Sequence, residues 1–445
     1  MDFRQTQEKI EQLLKGRSAD GYEIMLGRSR NLSLEVKEQK IDTFKCSTPL
    51  GLSIRVLKKG GMGFSYSTTL EEDSLRRMID NALIGAETQT PDEHYCFPGP
   101  QEYPFLGELF DDALAAVGEE EKVSRAMELE RGARAFDPRI TKVRKATYGE
   151  SSYEVMIANS LGVQGAYRGT SVSSSIAVIA EDGSDSQMGW DFDFSPRFAE
   201  VDVARVAASA AAKAVGLLGA RRIPTMRCPV VLDNHVATEI LEVLAPSFLA
   251  ENVQKGKSLL AGRLGGLLFS PQVRIIDDGT LAGGMATTPF DGEGVPHAQH
   301  VLVEEGVLRS FLYDTFWGRK EGVPSTGNST RGGAKSPPHM GVTNFFIQNG
   351  TAAANLLMSG IDRGMLITDV MGMHTANPIS GDFSVGAAGH LIERGRLAGP
   401  VKGVAISGNI IDLFRNVEMV GDDLRFFGAV GAPSLRISSL DVSGD

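Results

Sequence analysis

The chain opens with a polar segment in which Ile10, Leu13 and Leu14 recur on one side, the spacing of an amphipathic helix ended by Gly16. From Tyr22 to Ser67 the pattern changes to period two. The runs YEIML, LSLEV, IDTFKC, GLSIRVL and GFSYS are separated by Gly, Asn and Lys turns, which predicts an antiparallel meander. Thr69, with Glu72 three residues on, reads as a capping box opening a helix to about Glu87. Pro91, Pro98, Pro100 and Pro104 then mark a linker.

The same order returns further along. A helix is expected from about Asp111 to Phe136, interrupted near Gly118, then strands at Ile140–Tyr148, Tyr153–Ala158, Gln164–Arg168 and Ser171–Ala180, and an Ala-rich helix at Val201–Leu218. No residue-level repeat accompanies the repeated order. Beyond Pro224, a buried-type strand (Pro229–Leu232) leads into a helix from Asn234 to about Leu249. Short strands follow in Gly-rich sequence, among them 273–277 and 300–314, with a helix near Leu356–Arg363 and a β-rich close at 434–438. The reading is an α+β fold in four parts: an N-terminal α+β module (1–87), a linker (88–110), a second α+β module (111–222) and a large β-rich C-terminal domain (223–445).

Composition narrows the function classes. A length of 445 residues exceeds one ordinary core, and 42% hydrophobic residues suffice to fill more than one. The formal charge of −11 repels phosphate backbones, and the densest basic stretch, Lys142–Lys145, has the spacing of a strand's solvent face, so direct nucleic-acid binding is disfavoured. Three dispersed cysteines (Cys46, Cys96, Cys228) make no disulfide framework and fit a reducing compartment. With no apolar signal region and no run of about 18 apolar residues, a cytoplasmic chain without membrane association is expected.

Four stretches carry candidate chemistry. His235 and Glu239 share a helix face, but a zinc peptidase helix needs a second imidazole, and the simpler reading is a helix-start His beside an Asn234 cap. Asp291, Glu293, His297 and His300 bring four potential ligands into a turn-rich loop, which reads either as a metal site or as a special loop near a cleft. The run 325–333 (STGNSTRGG) offers backbone N–H groups and one cation to an anion or a peptide terminus, yet lacks a phosphate-loop ending. Asp382 and Ser384 flank Phe383 in a tight turn without the elbow of a serine hydrolase, and His374 and His390 beside them read as structural.

These loops occur in an ordered set: 253–266 (VQKGKSLLAGRLGG), 275–296 (IIDDGTLAGGMATTPFDGEGVP), 306–320 (GVLRSFLYDTFWGRK), 325–328, 377–397 and 400–414, with 41–68 near the N-terminus. Over nearly its whole length the chain resembles the TldD/PmbA family, on the PmbA (TldE) side. That resemblance implies the family's α+β N-terminal region and β-rich C-terminal domain. It also implies pairing with a TldD-type subunit around a proteolytic chamber that degrades unfolded peptides and processes precursors. TldD-type chains carry H-E-x-x-x-H and a C-terminal Cys. Here the aligned positions are Glu242, Val243, Leu244, Ala245, Pro246 and Ser247, and no Cys lies beyond Cys228. The implied role is the non-catalytic partner, with no cofactor of its own and zinc only in the TldD-type subunit. It would contact substrate through an exposed strand edge and through Asp291, Glu293, Thr326, Asn328, Asp382 and Ser384, positions chosen from motif placement. A homodimer stays open. So do an autonomous metallopeptidase at Asp291/Glu293/His297/His300 and, as older family names suggest, a gyrase-modulator-type binding protein.

Overall fold

The computed structural model describes residues 3–107 and 109–444. Alternating burial along the first strands builds one twisted antiparallel sheet: β1 (Gly21–Lys37), β2 (Lys40–Ser47), β3 (Leu50–Lys58), β4 (Gly61–Ser67), β5 (Ile140–Asn159), β6 (Gln164–Asp182) and β7 (Asp185–Ser195). The order is β4-β3-β1-β5-β6-β7, with β2 also paired to β1. Thus the two α+β modules share a single seven-stranded sheet, joined where β1 pairs with β5. Segments that read as separate strands merge, because Gly27–Asn31 and Gly149–Ser152 keep their ladder pairing. Strand β1 spends its first half beside β3 and its second beside β2.

Helices α1 (Phe3–Leu14) and α2 (Glu72–Thr88) cover one half of this sheet, and α3 (Glu119–Phe136) and α4 (Val203–Gly216) the other. Each pair closes its own core, one around Ile10, Ile24, Ile54 and Met78, the other around Leu34, Leu129, Tyr148 and Ile176. The capping box at Thr69 does not form. Helix α2 begins two residues later than its cap position requires, while Ser67 and Thr69 bond to each other in the preceding turn. The break near Gly118 is real: a short turn of 3₁₀-helix at Leu114–Ala116 precedes α3. In the basic stretch, Lys142, Arg144 and Lys145 are exposed and Val143 is buried, the ladder slipping twice to place them.

The C-terminal region stacks two six-stranded sheets around the largest core. One contains β9 (Ile275–Asp278), β10 (Gln299–Glu304), β11 (Val307–Leu308), β14 (Phe345–Ile347), β19 (Arg425–Phe427) and β20 (Val430–Ala432). The other contains β8 (Met226–Leu232), β15 (Arg363–Met371), β16 (Asp382–Glu393), β17 (Arg396–Asn409), β18 (Val417–Val420) and β21 (Leu435–Ser443). A small hairpin, β12 (Ser329–Thr330) and β13 (His339–Met340), stands apart. Between the sheets lies α5 (Asn234–Leu244), burying Val236, Ile240, Leu241 and Leu244. Its cap is Asp233, whose carboxylate accepts from the Val236 N–H at 2.9 Å, and not Asn234. The expected continuation to Leu249 tightens into a 3₁₀ turn at Ala245–Phe248, because Pro246 has no N–H to extend the ladder. The helix expected near Leu356–Arg363 is only a 3₁₀ turn at Ala354–Leu356.

Charged ties hold the N-terminal sheet to the C-terminal region. Buried Arg55 on β3 donates to Glu23 on β1 at 2.5 Å and to Glu293 at 2.9 Å, and Arg331 pairs with the same Glu23. Asp191 on β7 takes Arg425 of β19 at 2.5 Å, and Asp185 takes Lys402 at 2.5 Å. The proline-rich segment runs over this junction: the Asn159 amide donates to the Pro98 carbonyl, and the Tyr103 hydroxyl to the Gly294 carbonyl.

Candidate functional site

The cavity-facing side of α5 follows from its period. His235, Thr238, Glu239, Glu242 and Val243 recur at three- and four-residue steps opposite the buried stripe. Facing them across a cleft of about 780 Å³ are Trp190 and Phe192 of β7, Met285, the turn Gly372–His374 after β15, and Phe427–Gly428 at the end of β19. The volume falls in the range of ligand sites, and the cleft lies between the N-terminal sheet and the C-terminal domain, where such sites concentrate.

Rings form its wall. Trp190 packs against His235 with centroids 5.6 Å apart, and His235 meets Phe427 edge-on at 4.7 Å. Along β7, Trp190 stacks on Phe192 at 6.2 Å and Phe192 on Phe194 at 5.7 Å, because alternate residues of a strand share a face. Arg425 lies over the Phe427 ring at 4.7 Å.

The floor is acidic. Removal from water pushes the Glu239 carboxyl up to about 7, and the charges of Asp369, Glu242 and Asp233 push the same way. Burial, aided by the Lys213 charge, lowers His235 to about 4, so its imidazole is neutral at pH 7. Its Nε2 stands 3.4 Å from Glu239 Oε1. Asp233 beneath is raised to about 7, mainly by burial.

The residues present do not fit a zinc ion. One imidazole and one carboxylate approach each other, Val243 and Leu244 offer no lone pair, and among the described residues no three His, Cys, Asp or Glu side chains converge to hold a metal.

The loop carboxylates are placed elsewhere. Asp291 is buried and accepts N–H bonds from Glu293 (2.8 Å), Val295 (2.9 Å) and Ser329 (3.0 Å); burial first, then the neighbouring Glu293 charge, raises its pKa. It lines a second cavity of about 330 Å³, shared with His297 and Arg331, under the N-terminal sheet. Glu293 is committed to Arg55 and the Thr315 N–H. His297 donates through Nδ1 to the Thr288 carbonyl at 2.9 Å, and His300 through Nε2 to the Thr326 carbonyl at 2.7 Å; each ring keeps its other nitrogen, but among the described residues no three of these side chains converge to hold a metal. Asn328 donates to Asp277 at 2.7 Å and accepts from the Thr326 hydroxyl, which locks the 325–328 turn to β9. Asp382 and Ser384 are exposed on β16, in the other sheet, where Asp382 accepts from Asn409 at 3.0 Å. The structure therefore joins Asp291, Glu293, Thr326 and Asn328 through one loop system and leaves Asp382 and Ser384 apart. None of the six lines the large cleft.

Sequence reasoning noticed His235 and Glu239 but missed Glu242 as their continuation on the same face. It also missed Trp190 and Phe192. The run WDFDF (190–194), three rings at alternate positions with carboxylates between, was the available signal.

Comparison with known proteins places this architecture. Family models for the PmbA/TldA metallopeptidase domain 1, central domain and C-terminal domain match residues 22–86, 112–218 and 225–444. The metalloprotease PmbA of Escherichia coli O157:H7 is 26% identical over 442 residues, 97% of this chain and 94% of that protein. A Thermotoga maritima crystal structure, described as a candidate modulator of a DNA gyrase, shares 30% identity and a TM-score of 0.91, covering 99% of this chain and 100% of that one. The structure of TldE from Thermococcus kodakarensis shares the fold with a TM-score of 0.90 at 24% identity, covering 98% and 100%.

Proposed function

The chain belongs to the PmbA/TldA metallopeptidase family, and from that premise we propose that it is the non-catalytic, substrate-holding subunit of a peptide-degrading or peptide-processing pair. The observation that carries this reading is the face α5 turns to the cleft: a neutral His235, a raised Glu239 and Glu242, walled by aromatic rings, with donors that do not fit zinc. Such a surface binds polypeptide but does not polarise a carbonyl. The zinc and the hydrolytic chemistry belong in this reading to a TldD-type partner, and the substrate is an unfolded or short peptide.

The test is reconstitution. Purified chain alone should leave peptides intact, and addition of a TldD-type subunit should produce chelator-sensitive cleavage that exceeds the partner's own rate. Chelator-sensitive cleavage by this chain alone would overturn the assignment. Near-stoichiometric zinc lost on joint His297→Ala and His300→Ala substitution would favour the autonomous site. Capture of gyrase subunits without a TldD-type chain would favour the regulatory alternative.

A further inference from the structure

The cavity beside Asp291 is separate from the large cleft. It measures about 330 Å³ and shares no lining residue with that cleft. Strand register builds its roof. Met25 of β1 opposes Ile157 of β5, and Val155 of β5 opposes Tyr167 of β6, so all four side chains leave one face of the sheet. Phe290 closes the apolar side, its ring edge-on to Tyr167 at 5.1 Å. Gly333 is the exposed residue of the lining and marks the way in. The volume is about twice the roughly 150 Å³ that suffices for a benzene-sized guest.

The other side is polar, but its charges are already answered. Asp291 accepts three backbone N–H bonds, and burial favours its protonated form. Arg331 pairs with Glu23 and donates to the Gly292 carbonyl at 2.6 Å. Two polar atoms are left without a partner among the described residues. His297 is only 8% exposed, and burial lowers its pKa to about 4, so the ring is neutral at pH 7. Its Nδ1 proton goes to the Thr288 carbonyl, which leaves Nε2 as a bare acceptor. The Ser329 hydroxyl is buried and makes no hydrogen bond.

We infer that this cavity is a binding site for a small uncharged amide with an apolar body. The amide N–H supplies the donor that His297 Nε2 lacks. Its carbonyl accepts from the Ser329 hydroxyl once that group turns about its side-chain torsion. Met25, Val155, Ile157, Tyr167 and Phe290 take the apolar body out of water. A charged ligand would be stranded there, because no lining side chain offers it an unpaired opposite charge. The inference does not rest on the peptide-holding reading above.

Calorimetric titration of the full chain at pH 7 tests it with three probes of one shape: hydrocinnamamide, its methyl ester analogue, which has no N–H, and the hydrocinnamate anion. The amide should bind saturably and about tenfold tighter than the ester, the worth of one hydrogen bond to a buried acceptor, with the anion weakest of the three. His297→Phe keeps a ring of similar shape without Nε2 and should bring amide and ester to equal affinity. Ser329→Ala should weaken both several-fold, because either carbonyl can accept from that hydroxyl. Ala286→Phe fills the cavity from its lining and should abolish binding of all three. Circular dichroism spectra matching the wild type secure the fold of each variant, and if His297→Phe does not fold, the Ser329 and Ala286 variants carry the test. A crystal structure grown with the amide should show it against His297 and Ser329. No saturable binding of the amide, equal affinity for amide and ester in the wild type, or binding that survives Ala286→Phe would overturn the site. So would ordered waters on Nε2 and the Ser329 hydroxyl that the amide does not displace. None of these results bears on peptide binding in the large cleft.

Discussion

Glu239 shows how a single residue records its surroundings. Its pKa of about 7 arises from burial and from neighbouring carboxylates, so the folded chain holds a proton that the unfolded chain releases near pH 4.3. Between these values the folded state binds more protons, and stability falls as pH rises from about 4.3 through 7. Glu239→Gln removes that penalty. It should leave thermal stability unchanged at pH 4 and raise it at pH 8 by on the order of 1–2 kcal/mol, read from paired denaturation curves. The opposite case is Arg55, between Glu23 and Glu293. Burial alone would raise the Glu23 pKa, but the Arg55 and Arg331 guanidiniums outweigh it and hold the carboxyl below its usual range. Arg55→Ala leaves two carboxylates buried without that partner and should cost about 3–5 kcal/mol in chemical denaturation. Arg55→Met, of similar length, should recover little, because the charge imbalance remains.

At the scale of elements, the N-terminal sheet repeats one device. In each module a long inner strand, a middle strand and an edge strand are followed by a helix packed on the edge: β1, β3, β4 and α2, then β5, β6, β7 and α4. The contact is made by glycine against alanine. A Cβ on Gly63 would lie 1.8 Å from the Ala82 carbonyl oxygen, and one on Gly189 would lie 2.1 Å from that of Ala210. Both helices therefore rest directly on backbone. Gly63→Ala and Gly189→Ala should each destabilise the chain by about 2–3 kcal/mol through forced separation of helix and strand. Ala substitution at exposed Gly118, where nothing lies within 4 Å and φ is −69°, should be nearly silent in the same melts. The symmetric pair was visible in the sequence only as an order of strands and helix, since the two halves share packing geometry but no residue-level repeat.

For the whole molecule, the shared sheet and the charged ties make the two α+β modules and the C-terminal domain interdependent. Glu293 with Arg55, Asp191 with Arg425, and Asp185 with Lys402 each span the junction that walls the cleft. Joint replacement Glu293→Gln and Asp191→Asn should separate the melting of the C-terminal core from that of the N-terminal sheet. Scanning calorimetry would then show two transitions where the wild type shows one. A single unchanged transition would mean that the remaining ties and apolar packing couple the units without these two carboxylates. The same loosening should weaken peptide binding, because the cleft draws Trp190 from one side of the junction and Phe427 from the other.

The sequence by itself determined the class of most elements, the α+β architecture and the family likeness, because period-two and helical patterns are local and six ordered segments are hard to match by chance. It also exposed what α5 lacks, since the absence of a second imidazole needs no coordinates. Boundaries failed where tertiary pairing overrode local signals: Gly27 and Gly149 sit inside strands because the neighbouring strands continue to pair there. The site was legible only in part. His235 and Glu239 share a helix face that any reader can count, but Asp291 and Glu293 read only as potential ligands or cleft contacts in a turn-rich loop. Tertiary packing alone decided that they are buried and bonded, and that a ring ladder from β7 faces α5. Residues 190–194 and 235–242 meet across the junction of two separate cores, a contact that no local pattern encodes.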